Sequence, residues 1–213
     1  MPEIRSLARL LTTLCVAALA VFSAPAGAQD RFPASTVTIV VPFPPGGATD
    51  FVARSVAQSL TQTWGVPVIV ENRAGAGGNI GADFVARAPA NGQTILLGAV
   101  SVVTNPPLTK TPPYVPRLLI PVGVGVSSQL VTIARSELPA RDIASMLALS
   151  SANKPLNGAS AGAGTLSHLG LELLVANHKA SITHVPYKGS APALNDMVSG
   201  QADIMIDTVL SAT

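Results

Sequence analysis

Residues 36–41 read TVTIVV, six β-branched positions in succession with no charge among them. Such a run predicts a strand buried on both faces. From Thr49 the pattern changes period. Val52, Val56 and Leu60 recur at helical spacing, with Arg54, Gln58 and Gln62 on other faces. VPVIVE (66–71) predicts a second strand, GNIGADFVARA (78–88) a second helix, and QTILLGA (93–99) a third strand after the turn ANG. This β-α-β-α-β order implies a parallel sheet with right-handed crossovers.

Between 104 and 121 the composition shifts to TNPPLTKTPPYVPRLLIP, with six prolines. That predicts a surface excursion and a domain boundary. Beyond it come a strand at QLVTIA (129–134), a helix after Pro139, and a short strand at LNGAS (156–160). The helix TLSHLGLELLVANH (165–178), the strand ITHVPY (182–187), a helix at 191–200 closed by Gly200, and the strand ADIMID (202–207) complete the pattern. The expected organisation is residues 1–28 as a signal peptide, 29–128 as a first α/β domain, and 129–213 as a second, parallel-sheet α/β domain that is incomplete at Thr213. The pentapeptide DFVAR occurs at 50–54 and again at 83–87. Two copies do not make a repeat array, and both fall on equivalent βα units.

Charge adds little to this picture. Of 213 residues 48% are hydrophobic and 11% charged, and the net charge is +2. No like-charge run occurs, and the aromatics are Trp64, Tyr114, Tyr187 and five Phe. A basic patch and a base-stacking platform are both missing, so nucleic acid is not an expected partner. The N-terminus says more. Arg5 and Arg9 precede the apolar LLTTLCVAALAVF, and Ala26-Gly27-Ala28 forms a small-x-small cleavage site, which predicts export and a mature start at Gln29. The apolar run falls short of the about 20 residues that a membrane span requires. Cys15, the only cysteine, lies inside that leader. Disulfides, thiol catalysis and cysteine-held metals are therefore not expected in the mature chain.

The candidate chemistry sits in two strand-to-helix loops. In PFPPGGATD, Pro42, Pro44 and Pro45 hold the backbone extended, and Gly46 and Gly47 permit a sharp turn with close approach of a ligand. The helix that follows opens with unsatisfied N–H groups at the positive end of its dipole. Together these predict an anion cup at the carboxyl edge of a parallel strand. Asp50 would repel a carboxylate there unless it points away or meets an ammonium group. In NGASAGAGTLSHLGLEL (157–173) the arrangement recurs: Ser160, Ala161, Gly162 and Gly164 turn the chain, and Thr165 is a candidate N-cap.

Other motifs compete for these residues. GASAG matches the G-x-S-x-G nucleophile elbow, with Ser160 as nucleophile. However, Asp196, Asp203 and Asp207 all follow the last histidine, His184, and Glu172 lies on the helix opened by the elbow itself. No catalytic residue is assigned on this basis. AGAGGNIG (74–81) misses the dinucleotide fingerprint by one position. His168, His178 and His184 lack metal spacing. His168, one turn into its helix, could face the cup or be satisfied locally. Asp207, at the end of the last strand, is either a cleft-facing group or a cap. Lys188 could meet a carboxylate or simply be solvated.

Four stretches, VPFPPGGATDFVAR, VIVENRAGAGGNIGADFVARAPANGQTILLG, GAGTLSHLGLELL and HVPYKGSAPALNDMVSGQADIMID, resemble the substrate-binding proteins of tripartite tricarboxylate transporters, the Bug family. The resemblance runs from about Pro33 to Asp207 in the same order. It implies a type II periplasmic-binding-protein fold, with two α/β domains closing on a small carboxylate-bearing ligand. It also implies a periplasmic location, delivery of the ligand to membrane permease subunits, a monomeric state, no cofactor and no enzyme activity. The family's first ligand loop corresponds to Phe43–Thr49, and its second to Ser160–Thr165 with His168 in the matching GTxxH position. Family chains are longer, so this one is expected to be truncated and of reduced stability. The alternatives are an exported serine hydrolase and a non-functional remnant.

Overall fold

The computed structural model describes residues 32–111, 113–151 and 153–212. The chain divides into an N-terminal part, Met1–Ala34, and a compact unit, Ser35–Thr213. The leader, Cys15 and the cleavage site lie outside the described residues.

Two sheets organise the compact unit. The first holds β1 (Val37–Val41), β2 (Val68–Asn72) and β3 (Thr94–Leu96) in the order β2-β1-β3, all parallel. The β-branched β1 is its centre, with Val37, Ile39, Val40 and Val41 buried. Helix α1 (Ala48–Trp64) covers one face, setting Ala53 and Ala57 against Val37, Ile39, Val41 and Val68. It stops at Gly65, whose φ of 71° lets its N–H reach back to the Thr61 carbonyl. Helix α2 (Asn79–Arg87) connects β2 to β3.

Among its described residues the proline-rich stretch is largely exposed from Pro107 onward, the surface excursion that its composition predicts. Its first part is the end of helix α3 (Ser101–Leu108), which carries Pro106 and Pro107 in its last turn. Both prolines lie beyond the first turn, yet the helix ends directly after them, so little of the ladder is lost. Tyr114 is buried and donates to the Val102 carbonyl at 2.7 Å.

The second sheet runs β4-β7-β5-β6, built from β4 (Leu130–Ala134), β5 (Leu156–Ser160), β6 (Ile182–Pro186) and β7 (Ile204–Thr208). Three of its strands are parallel as expected; β4 pairs antiparallel to β7, Val131 opposite Asp207. Apolar pattern does not encode strand direction, and the long irregular approach from 109 to 129 lets the chain enter from either end. Helix α4 (Ile143–Ala148) opens with a capping box, Asp142 and Ser145 exchanging backbone contacts. Helix α5 (Leu166–His178) places Leu171 against Leu156, Ile204 and Ile206. Helix α6 (Ser190–Val198) seals Ala193 and Met197 over Ala159 and Met205, and α7 (Val209–Ala212) follows β7.

Candidate functional site

The loops after β1, β3, β5 and β7 and the start of α6 meet around one cleft between the two sheets. Its wall contains Phe43, Pro44, Gly47, Ala48 and Thr49 from the first loop, and Ala161 and Thr165 from the second. Asp207 completes the set of expected residues found there. Sequence pattern did not single out Ala99–Ser101, Leu130, Leu166, Ser167, Ser190, Thr208 and Ser211, which also line it.

Four helices thus present their first turns to the cleft: α1 and α3 from one side, α5 and α6 from the other. Three of them, preceded by Gly47, Val100 and Gly189, have no side-chain cap. At α1 and at the start of α6 the first N–H groups remain available to an anion. In α3 the Val102 and Val103 N–H groups already donate to the Ala99 and Val100 carbonyls at 3.0 and 2.9 Å, which leaves the Ser101 N–H. The dipoles add to the same sign. Only α5 is capped, by Thr165, which accepts from the His168 N–H and donates to the Gly162 carbonyl at 2.7 Å.

Asp50 does not face this anion site as a repelling charge. One carboxylate oxygen accepts the Gly46 N–H at 3.1 Å and Arg54 Nε at 2.9 Å; the other accepts Arg54 Nη2 at 3.0 Å and Asn72 Nδ2 at 2.9 Å. Asn72 Nδ2 also donates to the Phe43 carbonyl at 3.0 Å. The group ties both ends of the first loop to α1 and β2. Burial pushes its carboxyl up, but the bonds from Arg54, Asn72 and Gly46 outweigh this and hold it below the usual range.

Several expected residues stand behind the wall rather than in it. Pro45 and Gly46 shape the first loop, and Gly46 takes a φ of 87°. Ser160 is fully buried; its Oγ accepts the Gly162 N–H at 3.2 Å and contacts His184 Nε2 at 2.6 Å. His184 stacks on His168, ring centroids 3.9 Å apart. His168 Nδ1 accepts the Gly164 N–H at 3.1 Å, and its Nε2 lies 3.3 Å from Glu172. Strand pairing explains what spacing could not: Ser160 and His184 are on adjacent strands β5 and β6. Burial first, and His168 second, push the His184 imidazole below its ordinary value. This cluster braces the second loop from beneath.

The sheets also meet beside the cleft. Thr104 Oγ1 donates to the Gly164 carbonyl at 3.2 Å, and Asn105 Nδ2 donates to the Gly77 carbonyl at 3.2 Å. The backbones approach so closely that a Cβ on Gly77 would lie 2.2 Å from the Ala163 carbonyl oxygen. This contact accounts for Gly77 of AGAGGNIG, while a Cβ on Gly81 would lie 2.8 Å from Pro42 Cβ, a close helix-to-loop packing.

Two α/β sheets whose helix N-termini converge on a shared cleft define the periplasmic-binding-protein fold. The family model "Tripartite tricarboxylate transporter family receptor" matches residues 52–213, and the chain belongs to that family. It is 42% identical over 184 residues to a UPF0065 protein from the tcbD-tcbE intergenic region of Pseudomonas sp. strain P51, covering 85% of this chain and 55% of that one. The structure of periplasmic binding protein BugD superposes with a TM-score of 0.75 at 38% identity, over 85% of this chain and 61% of that one. MatC from Rhodopseudomonas palustris with bound malate gives 0.75 at 35% identity, over 85% and 63%. The chain therefore spans little more than half the length of the curated relative and about three fifths of the solved structures.

Proposed function

We propose that this protein is a periplasmic receptor that captures a small carboxylate-bearing molecule in the cleft and delivers it to the membrane subunits of a tripartite tricarboxylate-type transporter. The observation that carries the reading is the convergence of four helix N-termini, three without a side-chain cap, on one small, mostly apolar space. The malate held by the relative MatC supports it. Export by the N-terminal leader and action as a monomer, with residues 29–128 and 129–213 as separate domains, belong to the same reading.

The test is a thermal melt of the chain against mono-, di- and tricarboxylates, acidic amino acids and aromatic acids. A ligand that binds only the folded state stabilises by about 2.7 kcal/mol at a hundredfold excess over Kd. A concentration-dependent rise in Tm with one acid class is expected. A sharp transition that no acid moves would contradict the reading.

The Ser160–His184 contact is the one observation that favours a hydrolase. Against it, Ser160 Oγ is sealed from solvent, and among the described residues the carboxylate of Glu172 reaches His168 rather than His184. Ser160→Ala is expected to weaken ligand binding by loosening the second loop. Loss of an esterase turnover measured in the unaltered chain would instead establish the hydrolase.

A further inference from the structure

Among the described residues three buried side-chain polar atoms have no hydrogen-bond partner: Arg73 Nε, Ser101 Oγ and Asp207 Oδ2. Arg73 is accounted for by its guanidinium lying over the Phe84 ring, 3.5 Å from its centroid. The other two belong to residues of the cleft wall. A buried orphan hydroxyl or carboxylate is unfavourable unless something else satisfies it. Two orphans on one cleft indicate that the missing partner is the ligand.

Their chemistry is complementary. Ser101 is the first residue of α3, so its hydroxyl adds a donor at that helix N-terminus, where the Val102 and Val103 N–H groups are already bonded to the Ala99 and Val100 carbonyls. Asp207 is 5% exposed. Its Oδ1 accepts the Thr208 N–H at 2.8 Å, and the hydroxyls of Ser190 and Ser211 also bear on the carboxyl, while Oδ2 is left over. Burial pushes this carboxyl above the usual range against the pull of those three neighbours. An ionised carboxylate in an anion cup is an odd choice if the ligand offers only carboxylate oxygens. It is well matched to a hydroxyl or ammonium hydrogen. Ser190 opens α6 and also acts on Asp207, which sets the acceptor beside the N-terminus that attracts the carboxylate.

We propose, building on the carboxylate reading above, that Asp207 and Ser101 make the cleft selective for 2-hydroxy or 2-amino carboxylates. Ser101 donates to the carboxylate, and Asp207 accepts from the hydroxyl or ammonium at the neighbouring carbon. A site that hydrogen-bonds such a group discriminates strongly against the analogue lacking it, since its own buried group is then left unpaired.

The experiment is calorimetric titration of the chain with matched series: propionate, lactate and alanine; succinate, malate and aspartate; glutarate, 2-hydroxyglutarate and glutamate; 3-phenylpropionate, phenyllactate and phenylalanine. In the series that binds, the 2-hydroxy or 2-amino member is expected to bind at least about tenfold tighter than its parent. In Asp207→Asn that ratio is expected to fall within about threefold, and in Ser101→Ala all members should weaken together with the ratio kept. The ratio is internal to one preparation, so partial loss of folded protein does not move it. Should Asp207→Asn not fold, Asp207→Ser replaces it. Which substituted member wins distinguishes hydroxyl from ammonium, and either supports the proposal. A parent acid binding as tightly as its substituted forms, or a ratio that survives loss of Asp207, overturns it while leaving the carboxylate reading intact. Binding by no member of any series overturns that reading and the proposal with it.

Discussion

Asp50 illustrates what a single residue's neighbours decide. Its place in the first turn of α1 was plain from the chain, but its role was not, because Asn72 reaches it across the sheet from 22 positions away. Asp50→Asn keeps the volume and removes the charge that organises Gly46, Arg54 and Asn72. Loss of these charge-assisted bonds should cost about 2 kcal/mol, read by urea unfolding at pH 7. Since the folded-state pKa is depressed, this contribution is present above the unfolded value of about 3.9 and is lost as pH falls through the folded one. The difference between wild type and Asp50→Asn should therefore shrink toward zero in strong acid.

His184 has the same sign for a different reason. Its folded pKa lies below the ordinary value because the ring is buried and stacked on His168. The unfolded chain then binds more protons in the window below about pH 6.5, so stability should rise with pH across it. His184→Gln should flatten that slope between pH 5 and 7. An unchanged slope would place the titration elsewhere.

Elements were more legible than contacts. Every strand and every helix longer than eight residues lies where the hydrophobic pattern puts it, within a few positions, because each buries at least one face. Less was visible of how elements meet. The direction of β4 and the eight-residue α3 under its prolines escaped pattern reading. So did the whole seam between Thr104–Asn105 and the glycine loops. Gly164 shows the demand of that seam: its φ is 76°, and a Cβ would fall 1.7 Å from Asn105 Oδ1. Gly164→Ala should therefore displace the second loop and weaken ligand binding at least about tenfold, beyond its backbone strain. Gly65→Ala, strained at a similar φ but in open space, is the control: it should lower Tm and leave Kd unchanged.

At the scale of the molecule the two sheets were foreseen, as was a cleft at the carboxyl ends of parallel strands, since that edge is where helix N-termini gather. Which loops reach the cleft depends on the packing of one sheet against the other. For that reason Ser101 and Ser190 were invisible, while Phe43, Pro44, Gly47, Ala48 and Thr49 were not, and Pro45 and Gly46 fall behind the wall. The segment after α3 exposes Ile120, Val122 and Val124, each more than 80% accessible, and from Gly123 onward it borders a space that adjoins the cleft at Ala48, Thr49 and Val100. Exposed apolar runs favour association. Replacing Ile120 and Val122, which line neither space, by Lys should reduce light scattering at high concentration without altering ligand affinity.

The central claim is that a carboxylate sits where the four helices point. The most direct test is a crystal structure of the chain with the tightest-binding acid. The account predicts its carboxylate oxygens at about 2.7–3.2 Å from backbone N–H groups in the first turns of α1, α3, α5 or α6. A carboxylate turned toward solvent, or a ligand bound outside the cleft, would contradict it.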